Sequence, residues 1–494
     1  MSLLGLDIGT TGTKAVLFSE SGQIIDFDYQ EYPHIYRKPG WAELDPEKVW
    51  AAVKKTINQV ASKNRSLVRA LCISCMGDNI IPVGNDGTPN YNGILAFDNR
   101  ATEEVKIVDK VIGRQNYFQT MGSPLATISN LCKALWLKRN QPDVFNGTWK
   151  FMMFADYVLF RMGFPPQISY SMASLNIFDI KQKKYPEEML KEIGLNGGMF
   201  SELIPPDYII GEVPVSACSQ LGLPKGVKVI AGGIDLACGV LGAGVSPATP
   251  NTVADVAGTF EHAAYVTGEP TLGKQAFEES VLCFCNVVRD SYVVFKGLPT
   301  AGAAVKWFRD EFAREEKAKA LKEGKNVYDV MIEPLRFSGG NIIMHPYFAG
   351  RYGDSSARAS IQGITLATKK EDILASLIEG ITHELRINIE IIESIVGKRL
   401  NLVRAVGGMA KSKKWLQLKA DLTGRTIETV SIQEASALGA ALLAGVAIGV
   451  YSSIEEAIEN VVKVTERFSP RPELFKIYNN QHSIYKKLAR NIHY

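Results

Sequence analysis

The stretch that decides the fold is LLGLDIGTTGTKAVLFSESGQII, residues 3–25. Leu4, Leu6 and Ile8 alternate with Gly5, Asp7 and Gly9, the period-two pattern of a strand with one buried face. Ala15 to Phe18 reads as a second strand, Ser21-Gly22 as a tight turn, and Gln23 to Asp28 as a third strand. The turn between the first two strands has two readings. It is either an ordinary Gly-rich meander turn or a hairpin whose amide N–H groups and Thr hydroxyls hold phosphate.

A chain of 494 residues exceeds one ordinary core, so about two domains, or three, are expected. Apolar and charged fractions of 46% and 22% belong to a soluble globular protein. Basic residues exceed acidic ones by only three, and the clusters near Lys54 and Lys411 read as solvated faces, so no nucleic-acid partner is expected. The start MSLLGLDIG has no basic n-region and is interrupted by Asp7, which is not the pattern of a signal peptide. The longest apolar run, ALGAALLAGVAIGV at 437–450, falls short of the roughly 20 residues that span a bilayer. Its glycines and alanines read instead as a closely packed core helix, and no membrane association is expected. Seven cysteines, an odd number, point to free thiols in a reducing compartment, hence a cytoplasmic protein. Cys72 and Cys75 form a lone CxxC inside an apolar strand, and burial is the better reading than metal or redox work.

Strands and helices alternate through the first half. Asp45 and Pro46 open an amphipathic helix at DPEKVWAAVKKTINQVASK; LVRALCIS is a buried strand, and residues 102–200 are mainly helical. VKVIAGGIDLACGVLGAG reads as a strand, a Gly-Gly turn and a helix starting near Asp235. GVSPATPN, 244–251, marks the domain junction, giving domains 1–245 and 246–494. Beyond it the opening pattern returns: NTVADVAGTFEHAAYVTG is strand, Gly258-Thr259 turn, strand. AGAAVKWFRDEFAREEKAKALKEG reads as one helix, Leu402 to Val406 as a strand, Gly407-Gly408 as a tight turn and Lys413 to Leu422 as a helix. Two related α/β domains facing each other across a cleft fit this order.

Several residues carry chemistry in this arrangement. Asp7 beside Gly9, Thr10, Thr11, Gly12 and Thr13 sets a carboxylate, suited to magnesium through water, next to donors suited to phosphate. Asp235 is either a helix N-cap or a catalytic base kept ionised by the helix dipole. Asp78 after Gly77, and Asp98 at the end of GILAF, are either turn-capping residues or acceptors for sugar hydroxyls. His34, His262, His345 and His383 lack ligand spacing and read as structural or surface residues.

The segments GLDIGTTGTKAVLF, GWAELDPEKVW, GGIDLACGVLGAGV, AGTF, AGAAVKWF and VGGMAKSKKWLQLKADLTGRTIETVSIQEASALGAALLAG together resemble the FGGY carbohydrate kinase family, most of all its xylulokinase branch. The resemblance runs the length of the chain. It implies two actin-like, ribonuclease-H-like ATPase domains with ATP, magnesium and a small sugar meeting in the cleft, and a homodimer as the assembly many members form. By the same resemblance Asp7 to Thr13 is the first phosphate loop and Gly258-Thr259 the second. Gly407, Gly408, Met409 and Ala410, with Ser412, form the adenosine turn; Asp235 is the general base. Trp41, Asp98 and Arg100 lie on the sugar side.

Three places depart from the family pattern. MGDN puts Asp78 where xylulokinases carry a sugar-contacting His, the usual Trp-Xaa-Asp is Ala96-Phe97-Asp98, and the common PYLSGER is PYFAGRY at 346–352. The implied activity is phosphorylation of a primary hydroxyl of a ketopentose of the xylulose type. Four- or five-carbon polyols and other pentuloses are the alternatives, and gluconate is disfavoured because its carboxylate would face Asp78. Outside that activity stand an actin- or chaperone-type nucleotide-gated binding protein, which Asp235 argues against, and a degenerate kinase kept as a sugar sensor.

Overall fold

The structure is a computed structural model and describes residues 2–174, 177–337, 339–431 and 434–489. Two mixed sheets dominate it. The first comprises β1 (Ser2–Ile8), β2 (Gly12–Ser19), β3 (Ile24–Glu31), β4 (Val68–Cys75), β5 (Ile209–Glu212) and β6 (Lys228–Ile234), in the order β5-β6-β4-β1-β2-β3. The second comprises β7 (Thr252–Ala257), β8 (Glu261–Thr267), β9 (Leu282–Cys285), β10 (Tyr292–Leu298), β11 (Leu402–Val406), β12 (Thr426–Val430) and β13 (Val464–Phe468), in the order β9-β10-β8-β7-β11-β12-β13.

The sheets repeat one plan. β1 runs antiparallel to β2 and parallel to β4, with β6 parallel beyond it; β7 runs antiparallel to β8 and parallel to β11, with β12 parallel beyond that. The β1–β2 and β7–β8 turns, which carry Gly9 to Gly12 and Gly258-Thr259, therefore occupy equivalent places. So do the two segments that follow the last parallel strands, one holding Asp235 and the other Glu434. This is the pair of related α/β domains anticipated above.

The helices that build the site are α1 (Pro46–Lys63), α2 (Asn130–Asn140), α3 (Asp235–Gly242), α4 (Ala301–Phe312), α5 (Lys370–Val396), α6 (Lys413–Thr423) and α7 (Ala435–Ala447). Asp45 caps α1 by accepting from the Glu47 N–H, with Pro46 in the first turn, as the sequence indicates. The segment expected as one helix from Ala301 divides at Ala313, whose φ of −104° and ψ of 44° leave the helical region. Ala313 is buried while the charged residues that follow turn outward, with only Ala320 buried in the second helix, Arg314–Glu323. The stretch 102–200 is mainly helical but also contains two three-residue strands, Lys150–Met152 and Gln167–Ser169.

The opening strand departs from its pattern for a physical reason. β1 is buried on both faces, not one. Gly5 is small because α7, which follows β12 of the second sheet in sequence, crosses over and packs on β1, β4 and β6 of the first. A Cβ at Gly5 would lie 2.0 Å from the Ala437 carbonyl oxygen. The same closeness holds between α3 and α7: a Cβ at Gly439 would lie 1.8 Å from the Cys238 carbonyl oxygen, and one at Gly242 2.0 Å from that of Ala435. The apolar run at 437–450 thus supplies the core helix expected, which ends at Ala447 and packs on the first sheet and on α3. Cys72 and Cys75 are buried in β4, in keeping with their reading as core residues. No helix among the described residues is long and apolar enough to cross a membrane.

Candidate active site

At the first hairpin the Gly9 N–H donates to the Gly12 carbonyl at 3.0 Å. The Tyr32 O–H donates to the Gly9 carbonyl, the Tyr32 N–H to that of Thr11 at 3.3 Å, and His34 Nε2 lies 2.8 Å from that of Thr10. Three successive carbonyls are thereby engaged by the flanking segment. The Thr10 and Thr11 N–H groups have no backbone partner among the described residues, which is the disposition an anion site needs. Asp7 closes the base of the turn. Ser74 Oγ donates to its Oδ1 at 2.8 Å, and burial pushes its pKa up to about 6. Lys14 pairs with Glu434 Oε2 at 2.7 Å, joining this hairpin to the start of α7.

Asp235 is the first residue of α3, with Ile234 as the cap, and its Oδ1 accepts from the Leu236 N–H at 2.7 Å. The sequence reading has the helix dipole keep it ionised; the structure leaves it only partly ionised at neutral pH. Burial, then the charge of Asp7, raises its pKa to about 7, and Asp78 adds to the rise. Desolvation beside two carboxylates outweighs one N–H and a short helix. These same interactions put Asp235, Asp7 and Asp78 in one electrostatic neighbourhood.

Gly77 and Asp78 follow β4, and Asp78 adopts φ 55°, in the left-handed region. Asp98 does not present its carboxylate to the cleft, a correction to the sequence reading. It is fully buried and follows a strand of only two residues, Gly93–Ile94. Oδ1 accepts from the Arg100 backbone and Nε, and Oδ2 from Arg100 and from the Ala42 N–H. Arg100 also reaches Glu43 at 2.8 Å. Trp41 is half-buried with its ring 3.9 Å from the Arg100 guanidinium and edge-on to Trp136. The Asp98–Arg100 pair thus supports Trp41 from behind.

Across the cleft, Gly302 and Ala303 at the start of α4 donate to the carbonyls of Gly258 and Thr259 at 3.2 and 3.3 Å. Beneath that turn lies a fully buried ion triad in which Lys419 Nζ contacts Asp255 Oδ2 at 2.5 Å and Glu261 Oε1 at 2.7 Å. Gly407 has φ 95°, a conformation that favours glycine, and turns the chain from β11 into a short 3-10 segment, Gly408–Lys411. Ser412 then caps α6 by accepting from the Trp415 N–H. Gly258, Thr259, Gly408, Met409 and Ser412 come together with Trp307 and Tyr328 around a cavity of about 700 Å³, room for a nucleoside. Gly407 and Ala410 line its neighbour on the far side of the turn.

Four further residues, none assigned to the site from the sequence, lie against these segments. Lys133 is buried on α2 and bonds the Asp78 carbonyl. His34 supports the first hairpin, the structural one of its two expected readings. His262, on β8, lies 3.4 Å from the Tyr352 hydroxyl, and burial lowers its pKa to about 4, leaving it neutral. Tyr352, from PYFAGRY, is raised above the usual phenol range by burial and then by the charge of Asp78, which places this segment near Asp78. Only contacts between distant segments reveal these four. His345 and His383 are buried structural residues, as expected.

The FGGY family of carbohydrate kinases matches the chain twice, its N-terminal domain over residues 2–242 and its C-terminal domain over 254–448. The chain belongs to this family and is a sugar kinase. A xylulose kinase of Staphylococcus epidermidis is 27% identical over 99% of this chain and 96% of its own length, and one of Bacillus subtilis is 27% identical over 98% and 96%. A Bacillus subtilis gluconokinase is 26% identical over 99% and 95%. Among solved structures, a ligand-bound xylulose kinase from Lactobacillus acidophilus superposes with a TM-score of 0.90 at 24% identity, covering 99% of this chain and 98% of that one.

Proposed function

We propose that the protein transfers the γ-phosphate of ATP to a primary hydroxyl of a neutral ketopentose of the xylulose type, with Asp235 as general base. The carrying observation is the place of Asp235: at the start of α3, in the field of Asp7 and Asp78, with its pKa raised to about 7. The Thr10 and Thr11 amides and the Gly258-Thr259 turn hold the phosphates, Thr11, Gly12 and Thr13 complete the first turn, and the Gly407–Ala410 turn with Ser412 holds the adenosine. Gly77, Asp78 and Trp41 form the sugar side, the Asp78 carboxylate accepting hydroxyl hydrogens.

Asp7 fits magnesium. Among the described residues only Ser74 donates to its carboxylate, and burial beside a phosphate turn is relieved by a cation. Magnesium bound there would neutralise phosphate charge. Asp235 orients the acceptor hydroxyl and takes its proton late, as expected where the transferring phosphoryl is loosely bonded. Closure of the two halves would exclude water and limit idle hydrolysis. Free thiols throughout the described residues support a reducing, cytoplasmic setting. The homodimer implied by family resemblance belongs to the same reading.

A protonated Asp235 cannot act as base, so kcat/KM falls as pH drops through about 7, by about tenfold per unit well below it. Stability runs the other way. A carboxyl whose folded pKa exceeds its unfolded value adds stability at low pH, and this contribution is lost as pH rises through about 7. Paired rate and melting profiles from pH 5.5 to 8.5 (about three units) check both signs. A rate unchanged across that range would remove Asp235 from the role.

The substrate is tested by ADP release over D- and L-pentuloses, tetritols, pentitols, glycerol and gluconate. The expected result is highest kcat/KM on a ketopentose, with gluconate weaker by about a hundredfold or more through repulsion from the site carboxylates. Gluconate as the best acceptor would overturn the substrate assignment. Nucleotide binding without turnover on any acceptor would make the protein a sensor.

A further inference from the structure

We propose that Lys133 is a positioning residue for acceptor recognition: its buried ammonium fixes the backbone of Asp78 and so aims that carboxylate into the sugar site. The inference rests on the reading of Asp78 as the sugar-contacting acid. Asp78 sits at φ 55°, a left-handed conformation that a non-glycine residue holds only where its surroundings impose it. The surroundings are on view. Asn79 Nδ2 donates to the carbonyls of Met76 at 2.8 Å and Gly77 at 3.3 Å, and its Oδ1 accepts from the Phe154 N–H at 2.8 Å. The next carbonyl, that of Asp78, accepts from Lys133 Nζ at 2.5 Å. Three successive carbonyls are therefore pinned, and the last by a charge.

Lys133 is fully buried, and an ammonium out of water is a costly donor to place on a neutral carbonyl. Burial lowers its pKa to about 8, against the opposing pull of the Asp78 and Asp98 charges. A core that needed only a filled volume and a satisfied carbonyl has cheaper solutions. The cation here both restrains the strained residue and lies in the field of its carboxylate. One turn along α2, Trp136 packs edge-on against Trp41 and lies 4.9 Å from the Arg100 guanidinium. A single helix face thus holds both the Asp78 turn and the Trp41 stack, the two sides of the proposed acceptor site.

A double-mutant cycle separates positioning from general support. Lys133→Met, Asp78→Gly and the double variant are compared for acceptor KM, ATP KM and kcat, with the best acceptor of the panel, D-xylulose first. Glycine at 78 adopts the left-handed conformation without restraint and lacks the carboxylate. Lys133→Met alone is expected to raise acceptor KM about tenfold while ATP KM stays within about twofold, and to add less than about twofold in the Asp78→Gly background. If Asp78→Gly leaves acceptor KM unchanged, the reading of Asp78 fails. If it raises KM but Lys133→Met acts equally in both backgrounds, or raises ATP KM in parallel, Lys133 is only scaffold and the proposal fails. Should the Met variant not fold, Lys133→Leu, which likewise has no donor, is taken through the same cycle under the same criteria.

Discussion

Asp235→Asn is expected to lower kcat by about three orders of magnitude while ATP KM changes less than about threefold. The asparagine keeps an oxygen for the Leu236 N–H and so keeps the start of α3. It removes a base whose desolvated carboxyl carries a pKa of about 7, and with it the proton acceptor for the sugar hydroxyl. The nucleoside end should be unaffected, because its cavity is lined by Met409, Ser412 and Trp415 of the other half. Stability should hold or rise above neutral pH, where a buried charge has been removed. A variant that folds, binds ATP and retains more than about a tenth of wild-type turnover would show that Asp235 is not the base.

Gly439→Ala is the largest expected stability effect, at about 3 kcal/mol or more. The added methyl would sit 1.8 Å from the Cys238 carbonyl oxygen, against backbone and not a side chain that could rotate away. Relief requires α3 and α7 to separate. α7 also lies on β1 through Gly5, and α3 begins with Asp235, so separation would disturb the base and the first phosphate turn together. Chemical denaturation should show a lowered midpoint, and turnover should fall beyond what unfolding explains. An unchanged midpoint would mean that the helix crossing is looser than described.

The parts of this molecule legible in its sequence are local. The β1–β2 hairpin shows in alternating Leu and Ile around a Gly-Thr turn; the second hairpin repeats the signal at Gly258-Thr259, and Asp45-Pro46 announces a helix start. Illegible parts depend on distant approach. Gly5 looks like the polar side of a half-exposed strand, yet it is where α7 crosses from the other half of the chain. Asp98 looks like a free carboxylate at a strand end, but Arg100, two residues on, folds back and occupies both its oxygens. The ionisation of Asp235 could not be read from a helix start, because it is set by desolvation and then by the charge of Asp7 on β1. Lys133 shows no motif at all; its role appears only when α2 is laid against the turn after β4.

The most direct test of the central claim is single-turnover transfer of a radiolabelled γ-phosphate, with enzyme in excess over ATP and D-xylulose present, followed by separation of the products. The expected result is label on the primary hydroxyl of the sugar, little free phosphate, and loss of transfer in Asp235→Asn. Label released only as inorganic phosphate, at the same rate with and without sugar, would contradict it.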